Sequence, residues 1–108
     1  MQTPAVSPIE ALSKLRQSGE PISSETFAKA NRLLEILQAL QAPSPFIFAT
    51  DIGGIQFEWH GGRRELDVEV LPNSPKLAYV TFEDGNFVRE SDAEADERDL
   101  LAILNWIR

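Results

Sequence analysis

The chain has no cysteine, a single histidine, no long apolar run and a shortage of positive charge, and each scarcity removes a class of protein. Without cysteine there is no disulfide, no thiol nucleophile and no thiolate-bound zinc, a composition that fits a reducing compartment. His60 is the one histidine, and no catalytic triad can be assembled around it from the sequence. No stretch approaches the roughly 18 apolar residues of a membrane span. The opening MQTPAVSPIEALSKL lacks the basic start and apolar block of a secretion signal. The expected location is the cytoplasm. Ten lysines and arginines stand against 17 acids, a net charge of −7. That balance argues against a nucleic-acid surface, which must neutralise phosphates.

What is present suits one globular domain of 108 residues, with 43% apolar and 25% charged side chains. A chain of this length buries roughly two thirds of its unfolded surface, enough for one core. Its acidity is local. Residues 83 to 99 hold eight acids (Glu83, Asp84, Glu90, Asp92, Glu94, Asp96, Glu97, Asp99) against Arg89 and Arg98, which is −6 of the −7.

Residues 1 to 7, with one proline, Pro4, read as a frayed lead-in. Ser7-Pro8-Ile9-Glu10 then combines a cap, a first-turn proline and a capping-box glutamate. It starts a helix over about residues 8 to 18, with a thin apolar stripe of Ile9, Leu12 and Leu15 and a left-handed stop at Gly19. That stripe suits docking on the domain or on a second copy. Ser23 caps a second helix over about 24 to 41, with Ile22 and Phe27 as a staple. Phe27, Ala30, Leu33, Leu34, Leu37 and Leu40 form its wide apolar stripe, and Pro43 and Pro45 end it.

Between residues 46 and 71 three short runs are separated by glycine pairs. Ile55-Gln56-Phe57-Glu58-Trp59-His60 alternates strictly, as does a strand with one buried face. A two-residue turn at Gly61-Gly62 places position i opposite 123 − i. Trp59 then faces Arg64, Phe57 faces Leu66 and Ile55 faces Val68. The turn at Asp51-Ile52-Gly53-Gly54 puts Phe46, Phe48 and Thr50 on that same face. Asp84-Gly85 is a strong type I′ signal and sets Phe82 against Phe87. In this hairpin Leu77, Tyr79 and Thr81 compete with Ala78, Val80 and Phe82 for the inward side, the pattern of a sheet covered on both faces or of an interface. A last helix begins at Asp96 and buries Leu100, Ile103, Leu104 and Ile107, with Trp106 beside the stripe. The expectation is one α+β domain, residues 1 to 108, ordered α-α-β-β-β-β-β-α with three helices on an antiparallel sheet of about five strands.

Asp51-Ile52-Gly53-Gly54-Ile55-Gln56-Phe57-Glu58-Trp59 followed by Arg64-Glu65-Leu66-Asp67-Val68-Glu69-Val70 resembles a family of small uncharacterised bacterial proteins. Its members carry a D-G-G-(V/I)-Q-(L/F)-E-W stretch, a glycine turn and an R-E-L-(D/E)-(V/I)-E-(V/I) strand. The likeness covers about residues 22 to 82. The family's W-D-G-x-x-A-like segment is replaced here by Ser18-Gly19-Glu20-Pro21. The resemblance implies the fold and supplies no mechanism.

Chemistry can be sought on the polar side of the Gly61-Gly62 hairpin, where the turn arithmetic puts Gln56 opposite Asp67, Glu58 opposite Glu65 and His60 opposite Arg63. Facing carboxylates repel, raise one pKa or attract a cation. Glu58, His60, Glu65 and Asp67 are therefore weak candidates for a metal site or an acid/base pair. The expectation is a solvated outer face, as on most half-exposed antiparallel sheets, with no metal, no cofactor and no catalytic residue. The acidic segment offers Glu90, Asp92, Glu94 and Asp96, with Trp106, as candidates for binding a protein partner with a basic surface. Together these features lead to the expectation of a non-enzymatic accessory or regulatory module, antitoxin- or immunity-like in kind, with no nucleic acid or membrane as partner. A small metal-dependent enzyme and a structural homodimer are the alternatives.

Overall fold

Capping chemistry sets the helix starts. In the computed structural model, which describes residues 1–107, the Ser7 hydroxyl accepts from Glu10 N at 3.2 Å and opens α1 (Pro8–Gln17). Glu10 points its own carboxylate toward Lys14 at 4.0 Å, so the capping-box signal is met through the serine. Ser23 caps α2 (Ser24–Ala39) in the same way, accepting from Thr26 N at 3.1 Å. Asp96 caps α3 (Glu97–Ile107) through Asp99 N at 2.8 Å. Among the described residues no helix is long and apolar enough to cross a membrane.

Five strands form one antiparallel sheet in chain order: β1 (Phe46–Ala49), β2 (Ile55–Gly61), β3 (Arg64–Val70), β4 (Leu77–Glu83) and β5 (Asn86–Ala93). The architecture is α+β, in the order α-α-β-β-β-β-β-α. The alternating residues Ile55, Phe57, Trp59, Leu66, Val68 and Val70 are all buried and meet Phe27, Leu33, Leu37, Leu100 and Leu104 from α2 and α3. Burying each such side chain contributes about 1.5–3 kcal/mol. Trp59 also satisfies its indole N–H, which donates to Pro43 O at 2.8 Å. The first helix docks on β1 and α2 of its own domain through Leu12, leaving Ile9 exposed.

Three expectations change. The β2–β3 turn is Gly62-Arg63 rather than Gly61-Gly62, because Gly61 pairs with Arg64 and position i faces 125 − i. Only Gly62 has positive φ, at 60°, the pattern of a type II′ turn, which needs a single glycine. Gly61 is required inside the strand instead: a Cβ there would stand 3.0 Å from Ile107 O. The shift is two residues, so every side chain keeps its face while its partner changes.

The second correction concerns β1. Phe46 pairs with Glu58 and Phe48 with Gln56, while Ile47 pairs with Phe57. The two phenylalanines therefore lie on the helix-free side of the sheet, and Ile47 takes the inward place. A run as uniformly apolar as Phe46-Ile47-Phe48-Ala49 has no alternation to fix its phase; the Thr50–Gly54 turn, closed by Thr50 N donating to Gly54 O at 3.0 Å, fixes it.

Third, the lead-in is tied down. Gln2 bridges antiparallel to His60, with its N–H donating to His60 O at 3.0 Å. The competition within β4 resolves toward Leu77, Tyr79 and Thr81 inward, opposite Val70, Val68 and Leu66. The type I′ turn forms as expected, with positive φ at both Asp84 and Gly85 and Phe82 opposite Phe87. Thr81 faces Arg89 while Phe82 faces Phe87, so Val88 is the extra residue of a bulge.

Candidate functional site

Among the described residues nothing covers the side of the sheet away from the helices, and its registers can be read strand by strand. Through the centre run Phe46, Glu58, Asp67, Val80 and Glu90, each opposite the next. The neighbouring level is Phe48, Gln56, Glu69, Ala78 and Asp92. On the other side His60 faces Glu65, which faces Phe82. The result is an acidic centre on β2 and β3 between an aromatic edge on β1 and an apolar column on β4.

The centre is more enclosed than a solvated face. Glu58, Glu65 and Asp67 are all partly buried, and each offers an oxygen within 4.8 Å of the others. Gln56 Nε2 donates to Glu58 Oε2 at 2.8 Å. His60 lies between two carboxylates, its Nε2 at 3.3 Å from Glu58 and its Nδ1 at 3.3 Å from Glu65. A neutral imidazole donates through one nitrogen only, and the imidazolium through both. The ring meets Phe46 edge-on at 5.8 Å, and Phe46 in turn stacks on Phe48 at 6.5 Å.

Asp67 is the perturbed group. Burial, then its hydrogen bond to Glu65 and the charges of Glu58 and Glu65, push its carboxyl up to about 8. Its Oδ1 and the Oε2 of Glu69 are buried without a hydrogen-bond partner among the described residues. Buried polar atoms are seldom left so. A cluster of this kind can share a proton, hold a hard cation, or receive an ammonium or guanidinium group.

All four sequence candidates, Glu58, His60, Glu65 and Asp67, are thus brought together, though Glu58 faces Asp67 and His60 faces Glu65. The acidic segment is not one patch. Glu83 pairs with Arg64 and Asp84 with Arg63, Asp96 caps α3, and Asp99 accepts from Glu94 N at 2.9 Å. Glu94 itself reaches Lys76 at 4.0 Å. Glu90 and Asp92 stand on β5 opposite Val80 and Ala78, continuing the helix-free face, while Trp106 belongs to α3 across the sheet. Sequence reading missed Phe46 and Phe48 as neighbours of the acids, for want of any alternation in β1.

No protein-family model matches this chain, nor does any curated protein or any solved structure.

Proposed function

We propose that the chain is a non-enzymatic accessory or regulatory module whose helix-free sheet face docks a protein partner through a lysine or arginine side chain. An antitoxin- or immunity-like role is the kind of task such a module performs. The observation that supports it most is the pair of buried, unpartnered oxygens, Asp67 Oδ1 and Glu69 Oε2, in the middle of this face. A partner's guanidinium supplies several donors to such a cluster at once. Phe48 and Phe87, 47% and 61% exposed, give the face apolar edges, and Glu90 and Asp92 extend its charge and speed encounter with a basic surface.

Carbodiimide cross-linking in a native extract tests it, because the reagent joins carboxylates directly to partner lysines. The expected products join Glu65, Glu90 or Asp92 to one protein, disappear in the Glu65→Gln/Asp67→Asn double variant, and weaken as salt rises. Cross-links that survive the double variant, or that map only to the helices, would overturn the proposal.

A second reading is supported by the mutual closeness of three carboxylate oxygens, within 4.8 Å. Glu58, Glu65 and Asp67 would hold a divalent cation, with His60 as an additional ligand, as a small metal-dependent enzyme requires. Melting the protein with Mg²⁺, Mn²⁺, Ca²⁺ and Zn²⁺ decides it. A rise in Tm at millimolar metal that Asp67→Asn abolishes is the expected sign; an unchanged melt with all four ions dismisses it.

A further inference from the structure

Three helices do not cover five strands. Those on the inward side pack chiefly over β1, β2 and β3, so although Leu77, Thr81 and Ala93 are buried, part of the inward side of β4 and β5 around Tyr79 and Arg89 opens beside α3. The result is a groove of about 580 Å³, within the range of small-molecule sites. Tyr79 and Thr81 line it from β4, Arg89 and Ala93 from β5, and Ile103 and Trp106 from α3. It lies on the opposite side of the sheet from the acidic centre and depends on none of the same residues.

Two donors at this groove have no acceptor among the described residues, one buried and one exposed. The indole N–H of Trp106 is buried with no acceptor among the described residues. The Arg89 guanidinium, exposed on β5, has no hydrogen bond or ion pair to another side chain among the described residues. The backbone oxygen of Arg89 accepts from the Thr81 hydroxyl at 3.5 Å. Arg64 lies over the Trp106 ring at 4.2 Å and donates to Trp106 O at 2.9 Å, which holds the ring in place as one wall. An unpaired guanidinium beside an apolar wall fits one kind of ligand: an acceptor, negatively charged, on an apolar or aromatic body. Asp99 also lines the groove, and its charge disfavours a dianion such as a phosphate ester.

We infer that this groove binds a small organic monocarboxylate with an apolar or aromatic body, its carboxylate facing Arg89 and its body against Trp106 and Tyr79.

The test uses the intact chain and the indole N–H resonances of its two tryptophans, with Trp106 assigned by Trp106→Phe. The probes are 3-phenylpropionate, indole-3-acetate and octanoate, each beside its neutral amide, and inorganic phosphate. At least one carboxylate should shift the Trp106 signal saturably at millimolar concentration and leave the Trp59 signal in place. Its amide should bind roughly tenfold more weakly, the worth of one charge-assisted hydrogen bond. Arg89→Gln, at an exposed position that a melt shows to be folded, should weaken the carboxylate by a similar factor and leave the amide unchanged, whereas Asp67→Asn should alter neither. The inference is overturned if no carboxylate shifts Trp106, if amides bind as well, if Arg89→Gln has no effect, or if phosphate binds best. None of those results bears on the docking face.

Discussion

Glu58 stands directly opposite Asp67, with Val80 on the far side of Asp67, so the most perturbed carboxyl of the chain is held between a like charge and an apolar column. Burial there, with the hydrogen bond to Glu65 and the nearby charges of Glu58 and Glu65, explains why its proton is retained above the usual carboxylate range.

The first prediction concerns pH. In the unfolded chain Asp67 titrates near the ordinary aspartate value of about 3.9, whereas in the fold its carboxyl is raised to about 8. Between those values the folded state binds the extra proton, so stability falls as pH rises through that window. Asp67→Asn removes the penalty. It should match the parent near pH 4 and exceed it by about 1–2 kcal/mol at pH 9, after allowing for solvent screening of a half-exposed group. Urea melts at the two pH values measure it, and an equal difference at both would refute the coupling.

Lys29 is a second test. Its ammonium donates to Leu71 O at 2.6 Å and Ser74 O at 3.0 Å, tying the loop after β3 to α2. Lys29→Met keeps the stem and removes the donors, so it should cost about 1.5–3 kcal/mol. For a domain of this size that lowers Tm by roughly 4–8 °C per kcal/mol. A loss of less than half a degree would show the loop to be held by other contacts.

Two glycines should differ in cost. A Cβ at Gly54 would meet Val70 O at 2.8 Å and Glu69 Oε2 at 2.7 Å, and the backbone oxygen cannot swing away. At Gly62 nothing lies within 4 Å, and only the positive φ of 60° resists a side chain. Gly54→Ala should therefore be the more damaging, by about 2–3 kcal/mol from overpacking, against about 1–2 kcal/mol for Gly62→Ala. The reverse order in equilibrium melts would contradict the assigned turn.

How much of this was legible beforehand depended on the kind of signal. Caps at Ser7, Ser23 and Asp96 were readable because each is a short-range bond between a side chain and the backbone three residues on. The faces of β2 and β3 were readable because Phe57, Trp59, Leu66 and Val68 alternate with polar residues. Their partners were not, since two adjacent glycines leave two placements of the turn with the same parity. The choice between them rests on Ile107 O approaching Gly61 from the other end of the chain, a contact that no local pattern encodes. Phe46 and Phe48 were misplaced for a related reason: with four apolar residues in a row, the preceding helix and following turn set the phase. The four site candidates were named from polar residues on one face of the β2–β3 hairpin, but their enclosure depends on Phe46, Val80 and Phe82 on two other strands.

The bulge at Val88 has a consequence for what the sheet cannot become. β5 is an open edge eight residues long, the template on which another chain could extend the sheet. The added residue spoils the even spacing of its outward N–H and C=O groups, and in a symmetric antiparallel pairing centred on Ser91 Glu90 would face the Asp92 of a second copy. Growth of the sheet into a fibre is therefore blocked at this edge by one surplus valine and two acids. Deleting Val88 would restore an even ladder there, with Phe87 exposed beside it, and open that route.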